Sequence, residues 1–436
     1  MKRIFKSFIV GVLMWESKMV LKKYKPKIVA VTGSVGKTST KDAVYSVMSS
    51  AFSTRKNEKS FNSELGVPLT ILGCKNGWFN PFIWMKNIAE GLLLIIFPYK
   101  YPAWLILEMG VDRPGDIERL TSWLKPDVSI ITYFGSVPVH VEFFPSIDDL
   151  VHEKGLIVEA LKPNGTFIFN SDERRVKDFA GFFFGKKIGF GIKEGSDVGC
   201  SDYKIVYGNY QNSDNEFPIG VSFKISYGGS SIPVFVNGSI GRQHIYPFLA
   251  AYAAGISQGI NPLEIAAALE KHVPPRGRMR LIAGIKETLI IDDTYNSSPV
   301  AVHEALATLD EIHCSGRKIA VLGDMLELGA FSAEEHKKVG EAAAKAVDVL
   351  AVVGIRTRGS AEAALDAGMD ESAVLQFENS KEAGSYLLGF IKPGDVILVK
   401  GSQSMRMEKT VEEIMLDAQE KEKLLIRQDK HWLAKK

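Results

Sequence analysis

The chain has 436 residues, 46% of them hydrophobic and 24% charged, which is too long for one hydrophobic core and predicts two or three domains. Its formal net charge of +2 gives no reason to expect a nucleic-acid partner. The three cysteines, Cys74, Cys200 and Cys314, form no CxxC or Cys/His pair, which argues against a disulfide framework or structural zinc and favours a reducing compartment.

Residues 1–26 are predicted to form an N-terminal helix. Their apolar run, residues 8–15, follows three basic residues and imitates a signal peptide, but no small-residue cleavage site comes after it. The sequence Glu-Ser-Lys then ends the run too early for a membrane span. We therefore predict a cytoplasmic protein whose first helix packs on the neighbouring domain or lies on the inner face of a membrane.

Residues 27–275 alternate between short apolar runs and helical patterns, as expected for parallel α/β folding. A β-branched strand at 27–31 (KIVAV) leads into a glycine-rich turn and then into a helical pattern. The later elements predicted are strands at 105–107, 128–132 and 166–170, an antiparallel ribbon at 196–238 and an alanine-rich helix at 247–258. This order predicts a P-loop ATPase-type parallel sheet domain with an antiparallel subregion.

A hinge is predicted at residues 274–278 (PPRGR), so a C-terminal domain would span 276–436. Four strands are predicted in it, at 289–291, 318–322, 347–353 and 396–399. Alternation of these strands with helices predicts a Rossmann-like α/β domain. The tail from Met407 is rich in charge and is predicted to be a solvated helix.

A phosphate-binding loop is predicted between the first strand and its helix, where residues 32–40 read TGSVGKTST. Backbone amides at a helix N-terminus can cradle phosphates, while Lys37 neutralises phosphate oxygens and Thr38 offers a hydroxyl to magnesium. Val31 stands where the pattern GxxxxGK[ST] has its first glycine. The nucleotide-binding residues predicted here are Gly33, Ser34, Val35, Gly36, Lys37, Thr38 and Ser39.

Two charged residues occupy unusual places. Glu108 ends an apolar strand, where doubly wound folds bind ligands, and is either a magnesium ligand or a surface acid. Lys154 lies in the middle of an apolar helical stripe that runs from Ile147 to Leu161. Its ammonium group either reaches solvent past the stripe, or the amine stays neutral, adds carbon dioxide and holds a metal as a carbamate.

Ten motifs occur in a fixed order: TGSVGKTST (32–40), FNSELGVPLT (61–70), LEMGVDRPGDIERL (107–120), HVEFFPS (140–146), EKG (153–155), GRQHIYPFLAAYAA (241–254), GRM (277–279), DDTYNSSP (292–299), VLGDMLELG (321–329) and VKGSQSMRME (399–408). Together they resemble the Mur ligases, and DDTYNSSP and GDMLELG are similar to the branch that adds D-alanyl-D-alanine. The resemblance implies ATP-dependent amide ligation in peptidoglycan biosynthesis. An amino acid or dipeptide would be joined to the carboxylate of a small-molecule precursor that is nucleotide- or lipid-linked.

The resemblance also implies roles for residues of the first domain. Lys37 and Thr38 would bind the ATP phosphates and the first of two magnesium ions. Glu108 and His140 match the acid and histidine that hold the metals, and Lys154 matches the lysine that is carbamylated in this family. From the residues alone, an exposed loop residue is the favoured interpretation of His140.

Residues of the last third receive roles in the same way. Arg278, in GRM, matches an arginine that faces the phosphates, and Asp293 an acid that contacts the nucleotide. Asn296, Asp324 and Lys400 lie in motifs expected near the nucleotide or the incoming amine. From the residues alone, Arg278 could be an ordinary linker charge, and Asp324, like Glu327, a helix-capping acid.

Three features depart from the family pattern. Family enzymes carry a further N-terminal domain that grips uridine diphosphate, whereas only about thirty residues precede the loop here, so the acceptor stays open. Gln243 and His244 stand in place of an asparagine-rich adenine contact, so His244 or its neighbours are predicted to contact the nucleotide. An apolar insertion at about 76–102 is predicted to form a helix that touches lipid, a further domain or a second subunit.

The reaction implied by the resemblance has two steps. The substrate carboxylate attacks the γ-phosphorus of ATP to give an acyl phosphate and ADP, and an amine then displaces phosphate. The catalytic residues predicted for it are Lys37, His140, Lys154 and Arg278. Two alternatives are open: a Mur-like ligase acting on folate or an amino-acid polymer, and an ATP-binding switch without acyl transfer.

Overall fold

The computed structural model describes residues 2–58, 62–78, 80–209 and 215–433. Phe61, the first residue of the FNSELGVPLT motif, and Phe79 of the predicted insertion lie outside the described residues. The strands are β1 (Lys27–Thr32), β2 (Thr54–Lys56), β3 (Trp104–Glu108), β4 (Val128–Ile131), β5 (Thr166–Asn170), β6 (Lys186–Phe190), β7 (Gly199–Asn209), β8 (Glu216–Tyr227), β9 (Ser230–Asn237), β10 (Arg280–Gly284), β11 (Thr288–Asp293), β12 (Lys318–Gly323), β13 (Val349–Val353), β14 (Val374–Phe377) and β15 (Val396–Lys400).

The α-helices are α1 (Lys2–Tyr24), α2 (Lys37–Ala51), α3 (Gly66–Leu72), α4 (Pro81–Ile96), α5 (Asp116–Thr121), α6 (Ile147–Glu159), α7 (Arg174–Phe182), α8 (Ile245–Ser257), α9 (Pro262–Glu270), α10 (Pro299–Glu311), α11 (Ser332–Ala346), α12 (Arg358–Asp366), α13 (Ser380–Phe390), α14 (Glu408–Ile414), α15 (Lys421–Leu424) and α16 (Lys430–Leu433). Short 3-10 turns lie at Val141–Phe143, Arg242–His244, Gly329–Phe331, Glu371–Ala373, Gln403–Met405 and Ala418–Glu420.

The first sheet has six parallel strands in the order β2-β3-β1-β4-β5-β6. Its strand β1 is buried from Ile28 to Thr32, because β3 and β4 pair with its two edges and helices cover both faces. Val31 of β1 pairs with Glu108 of β3, so the carboxyl ends of these neighbouring strands reach the same edge of the sheet. Loops at this edge, at a change of strand order, are where doubly wound sheets bind ligands.

The antiparallel subregion is a three-stranded sheet in the order β7-β8-β9. Aromatic pairs join it to α8: the ring centroids of Phe223 and Phe248 are 5.9 Å apart, and those of Tyr227 and Tyr252 are 6.1 Å apart. The ribbon predicted at 196–238 is therefore confirmed, and it extends the core of the parallel sheet domain.

The C-terminal sheet has six strands in the order β10-β11-β15-β12-β13-β14, parallel except for β10. The sequence predicted four of them and missed β10 and β14. Both are edge strands with a neighbour on one side only, and β14 is only partly buried, so neither needs a continuous apolar run. The predicted fold class, a P-loop-type sheet domain followed by a Rossmann-like α/β domain, is confirmed.

The helix α1 packs against α3 and α4, with Leu13, Ser17 and Val20 buried. Of the two placements predicted for this helix, the structure shows the one in which it packs on the neighbouring domain. Gly91 of α4 lets the helices approach closely, since a Cβ there would lie 2.3 Å from a carboxylate oxygen of Glu16. Across the described ranges, no helix combines the length and apolar character needed to cross a bilayer.

The tail after Met407 differs from the solvated helix predicted. It folds back over the C-terminal domain as short helices, and Val411, Ile414 and Leu425 are fully buried in the second hydrophobic cluster. The abundance of charge concealed this packing, because charged residues separate the buried apolar side chains.

Candidate active site

Glycine and threonine hold the loop between β1 and α2 against β4. Gly33 has φ 143°, and a Cβ there would lie 2.1 Å from Thr132 Oγ1. Gly36 has φ 84° and stands immediately before α2. Thr132 Oγ1 donates to the carbonyl of Val35 at 2.6 Å. Only glycine fits at position 33 without a clash, and glycine is favoured at position 36 because of its positive φ. These two glycines let the loop pack tightly against Thr132.

Two amides of the loop are already used within the protein. Ser34 N and Val35 N both donate to the carbonyl oxygen of Tyr133, at 2.7 and 3.2 Å. The whole run from Gly33 to Ser39 was predicted to bind the nucleotide. The amides left for an anion are those that open α2, which have no carbonyl partner in the preceding turn and lie at the positive end of the helix dipole.

Glu108 lies at the carboxyl end of β3 and faces the first turn of α2. Its Oε2 accepts a hydrogen bond from Thr38 Oγ1 at 3.0 Å, and its Oε1 accepts one from Asn62 Nδ2 at 3.2 Å. The side chain is 1% exposed, and Lys41 Nζ lies 3.8 Å from Oε2. The surface-acid alternative is therefore wrong, and a carboxylate oxygen and a hydroxyl oxygen lie together beside the phosphate loop.

Lys154 points into the protein and not out to solvent. It is 2% exposed, and its Nζ donates to Ser34 Oγ at 2.9 Å. Burial lowers the pKa of Lys154 well below its ordinary value, and the nearby ammonium of Lys37 lowers it further. The alternative in which the ammonium reaches solvent is wrong. A buried amine with a depressed pKa lies directly under the phosphate loop.

The neighbours of Lys154 explain how it is held there. The carboxylate of Glu153 accepts hydrogen bonds from the amides of Gly115, Ile117 and Glu118, at 3.1, 2.8 and 3.1 Å, and so joins α6 to the start of α5. A Cβ on Gly155 would lie 2.2 Å from the ring of Phe179. In the EKG sequence, Glu153 therefore joins α6 to α5, Lys154 contacts the phosphate loop, and Gly155 allows close packing on Phe179.

Two cavities of about 1050 and 900 Å³ lie between the sheet domains. Five residues line both, so the cavities adjoin; these are Thr38, Arg278, Tyr295, Gln403 and Trp432. The smaller one is also lined by the predicted site residues Ser34, Val35, Gly36, Lys37, Glu108, His140 and Asn296. Lys154 lies behind this wall and reaches it through Ser34.

His140 crosses the cleft to the C-terminal domain. Its backbone is left-handed, with φ 72°, and its Nδ1 lies 2.8 Å from Glu327 Oε2. The imidazole holds the pKa of Glu327 below its ordinary value. Beside this pair, Gly329 packs closely against Glu142. His140 is thus an interdomain contact at the cavity wall, a placement that neither the metal-ligand role nor the exposed-loop alternative anticipated.

Arg278 supplies positive charge to the same cleft. Its guanidinium lies 4.1 Å from the ring centroid of Tyr295, and its buried Nε has no hydrogen-bond partner among the described residues. Burial lowers the pKa of Lys37, and the charge of Arg278 lowers it further. Two cations at one wall, one with an unpaired donor, fit a polyanionic ligand.

Asp293 and Lys400 form an ion pair beneath the cleft. They are paired neighbours on β11 and β15, and Lys400 Nζ lies 2.5 Å from Asp293 Oδ2. The same ammonium donates to the carbonyl of Asn296 at 3.0 Å. Of these three predicted site residues only Asn296 lines a cavity, and its Oδ1 accepts from Gln403 N at 3.3 Å. Asp293 and Lys400 therefore fix the loop that carries Asn296.

Asp324 and His244 lie off both cavity walls. Asp324 accepts hydrogen bonds from Thr357 N and Oγ1, at 2.9 and 3.2 Å, and so fixes the residue that precedes α12. His244 is 4% exposed, and its Nε2 has no partner among the described residues. Burial lowers the pKa of His244 to about 4, so the ring is neutral. Neither residue lines a cavity, so the geometry does not support the substrate role predicted for Asp324 or the nucleotide role predicted for His244.

Several residues of the cleft were not predicted, among them Asn62, Tyr295, Glu327 and Trp432. The first three lie inside motifs that carry the family resemblance, so their place in those motifs could have identified them as site residues. Trp432 comes from the tail, and its ring lies 5.5 Å from the guanidinium carbons of Arg406 and Arg427. No pattern in a charged tail indicates that it returns to a cleft.

The donor set fits one magnesium ion better than two. Mg²⁺ typically takes one or two carboxylates together with substrate phosphates, and the paired oxygens of Glu108 and Thr38 suit it. Among the residues that the structure describes, no three His, Cys, Asp or Glu side chains converge as a metal site. His140 meets Glu327, and Lys154 meets Ser34, so a second site with these ligands stays a prediction.

Two protein-family models match the chain over most of its length. The model described as the Mur ligase middle domain matches residues 31–84 and 88–255. The model described as the Mur ligase, glutamate ligase domain matches residues 277–403. The first match contains the phosphate loop, Glu108, His140 and Lys154, and the second contains Arg278 and Glu327.

Individual relatives agree with the family models. UDP-N-acetylmuramoyl-tripeptide–D-alanyl-D-alanine ligase of Bacillus subtilis is 27% identical over 92% of this chain and 78% of its own length. The enzyme of the same name from Buchnera aphidicola is 29% identical over 92% and 79%. The crystal structure of the MurF ligase of Thermotoga maritima in complex with ADP superposes with a TM-score of 0.73 at 25% identity, covering 93% of this chain and 83% of that one.

Proposed function

This chain belongs to the Mur ligase family, and on that premise we propose that it is an ATP-dependent, ADP-forming amide ligase that adds D-alanyl-D-alanine to a peptidoglycan precursor. The acceptor in this proposal is the peptide carboxylate of a UDP-N-acetylmuramoyl-tripeptide, the substrate in the relatives' name. The observation that carries the proposal is the single cleft in which the phosphate loop, Glu108 and Arg278 face one another.

The phosphate end of ATP would lie at the start of α2. The amides of that first turn and the ammonium of Lys37 would bind phosphate oxygens, and Arg278 would meet them from the C-terminal side. Glu108 and Thr38 would hold magnesium, which supplies charge neutralisation at the phosphates. A carboxylate does not condense with an amine in water, so transfer of the γ-phosphoryl group to it makes the carbonyl reactive, and phosphate then leaves when the amine attacks.

Lys154 is proposed to carry a carbamate. The amine is buried, its pKa is depressed, and Lys37 lies nearby to neutralise the negative charge that carbon dioxide would add. A carbamate would also convert Lys154 into an oxygen donor beside Ser34, the chemistry a second metal ion needs. Together with His140 it would form the second site expected for the family.

The C-terminal domain is proposed to bring the amine and to close the site. Asn296 and Gln403 line the smaller cavity from that side, and the His140–Glu327 contact joins the domains at its wall. Closure excludes water from the acyl phosphate, which would otherwise hydrolyse. We place the boundary between the domains at about residue 276 and, because ATP is the energy source, place the enzyme in the cytoplasm.

Phosphate release tests the proposal. The purified chain is given ATP, magnesium, UDP-N-acetylmuramoyl-tripeptide and D-alanyl-D-alanine, and release should require all four. Lys37→Ala should abolish release, whereas Lys381→Ala, at an exposed position on α13, should leave it unchanged. Release with folate and glutamate in place of these substrates, or release independent of any amine, would exclude the proposed reaction.

A further inference from the structure

The helix α4 presents an apolar stripe to the outside of the protein. Phe82, Met85 and Ile96 are 73%, 57% and 66% exposed, and Leu92 and Leu93 are 39% and 42% exposed. Their spacing follows the helical repeat, so they lie along one side of the helix. We call this side, with the exposed Phe97 and Tyr99 that follow it, the α4 surface.

The side of α4 that packs on the protein is also apolar, because Trp84 is buried and Ile88, Leu94 and Ile95 pack partly buried against the core. Its buried residues are Trp84, Asn87 and Gly91. Asn87 Nδ2 donates to the carbonyl of Lys75 at 2.7 Å, and Gly91 lies against Glu16. A helix on a globular protein normally turns its apolar stripe to the core. This helix has an apolar side toward the core and a second one outside, so the outer stripe is available to an apolar environment outside the chain.

Positive charge lies on α1, α4 and the segments that flank them. The last turn of α1 is attached to the end of α4, because Lys23 Nζ donates to the carbonyls of Leu94 and Phe97 at 2.9 and 2.5 Å. The exposed lysines on these two helices and their flanking segments are Lys18, Lys22, Lys23, Lys25, Lys27, Lys75, Lys86 and Lys100, of which Lys18 and Lys27 lie over the rings of Trp123 and Trp104. Each of the two helices carries one acidic residue. Glu16 of α1 is buried, and Glu90 of α4 pairs with Lys86 at 3.6 Å. The whole chain, by contrast, has a net charge of only +2.

We propose that the α4 surface binds the surface of an anionic lipid bilayer. Exposed apolar and aromatic side chains would enter the interface between headgroups and acyl chains, while the lysines on α1, α4 and their flanking segments meet the negative headgroups. A second copy of the chain docked on the same surface would bring the two sets of lysines together, and like charges oppose such an association. The charge therefore favours a membrane over a dimer.

The dimensions of α4 fix how it would lie. Sixteen residues make a helix of about 24 Å, shorter than the ~30 Å of a bilayer's hydrocarbon core. One side of α4 is also held against α1 and α3. The helix would therefore lie in the plane of the interface without crossing it. Asn76 and Trp78, which precede α4, line the larger cavity, so the attached membrane would be close to the active-site cleft.

Vesicle flotation tests the proposal with the full chain. The protein is mixed with vesicles of phosphatidylcholine alone, or of phosphatidylcholine and phosphatidylglycerol in equal parts, and the floating fraction is measured. We expect binding to the anionic vesicles that weakens with added salt. The double variant Phe82→Ser/Ile96→Ser should lower the affinity about tenfold or more, and Lys100→Glu about fivefold.

Matched variants elsewhere on the surface control for general effects. Ile355→Ser, at a residue 75% exposed in the C-terminal domain, and Lys337→Glu, exposed on α11, should leave vesicle binding unchanged. Thermal unfolding of each variant shows that it is folded. Equal binding by the parent chain and the double variant would overturn the proposal. It would also be overturned if no vesicles bind and light scattering shows a dimer that the double variant loses.

Discussion

His140 Nδ1 and Glu327 Oε2 lie 2.8 Å apart and join the phosphate-loop domain to the C-terminal domain. Because the imidazole lowers the pKa of Glu327, the ionised carboxylate favours the contact, and the contact weakens as pH falls through that lowered value. Glu327→Gln removes the charge with little change of shape. We expect it to lower kcat about fivefold, the scale of one partly exposed ion pair, with ATP affinity unchanged.

Steady-state kinetics at neutral and acidic pH measure this effect. Glu341→Gln changes an exposed acid on α11 of the same domain and serves as the control. If Glu327→Gln and the control have the same kcat at neutral pH, the contact does not contribute to closure. The same conclusion would follow if the variant's deficit were undiminished in acid.

Lys154→Ala should abolish turnover and leave ATP binding measurable. The amine is the group proposed to accept carbon dioxide, while the phosphate loop keeps its own glycines and Lys37. Lys154→Arg retains positive charge but cannot form a carbamate, and we expect at least about a hundredfold loss of kcat from it as well. Isothermal titration with ATP separates loss of catalysis from loss of binding.

A direct readout of the carbamate does not depend on activity. With ¹³C-labelled bicarbonate, the parent chain should give a carbamate carbon signal in NMR spectra that Lys154→Arg lacks. The matched variant Lys41→Arg changes another buried lysine near Glu108 and should keep the signal. An identical spectrum for the parent chain and Lys154→Arg would remove carbamylation from the proposed mechanism.

Gly155→Ala should destabilise the protein through the packing of α6 on Phe179. The added Cβ would lie 2.2 Å from a ring carbon, so the ring or the helix must move. Overpacking of this kind costs about 1–3 kcal/mol in the free energy of unfolding. Because Lys154 is the preceding residue, a helix shift should also lower activity.

Chemical denaturation measures the cost, and a second substitution tests its cause. Phe179→Leu shortens the opposing side chain and should recover part of the stability in the double variant Gly155→Ala/Phe179→Leu. Gly181→Ala, at a glycine of α7 with open space around its Cβ position, is the control and should have little effect. Strictly additive effects of the two substitutions would mean that the ring contact is not the source of strain.

The two sheets were predictable because their central strands are buried on both faces and read as apolar runs, as in β1 and β15. Edge strands such as β14 need no such run, and the tail's buried residues are separated by charges. Their placement depends on tertiary neighbours that local pattern does not encode.

The site divides in the same way. Glu108 was noticed because it follows a strand at its carboxyl end, and Lys154 because a charge in an apolar stripe is unusual; the structure buries both. The pairing of His140 with Glu327 depends on how two domains face each other, which neither local sequence specifies. The contact of Asp324 with Thr357 joins residues 33 positions apart, on different elements, and was likewise outside the reach of spacing arguments.

Glu16 should make stability depend on pH near neutrality. It is fully buried between α1 and α4, and neither carboxylate oxygen has a hydrogen-bond partner among the described residues. Burial raises the pKa of Glu16 from 4.5 to about 7, so the folded protein binds the proton more tightly than the unfolded chain.

The sign of the effect follows from that difference. Stability linked to Glu16 is fully present below about pH 4.5 and is lost as pH rises toward about 7, where the folded state must bury a charge. Glu16→Gln keeps the shape without the charge and should raise the melting temperature at pH 8 by a few degrees, on the order of 1–2 kcal/mol, with little change at pH 4.5. Melting curves of the parent chain, Glu16→Gln and the exposed control Glu264→Gln across this range measure it. A gain that is the same at every pH, or shared by the control, would show that ionisation of Glu16 is not its cause.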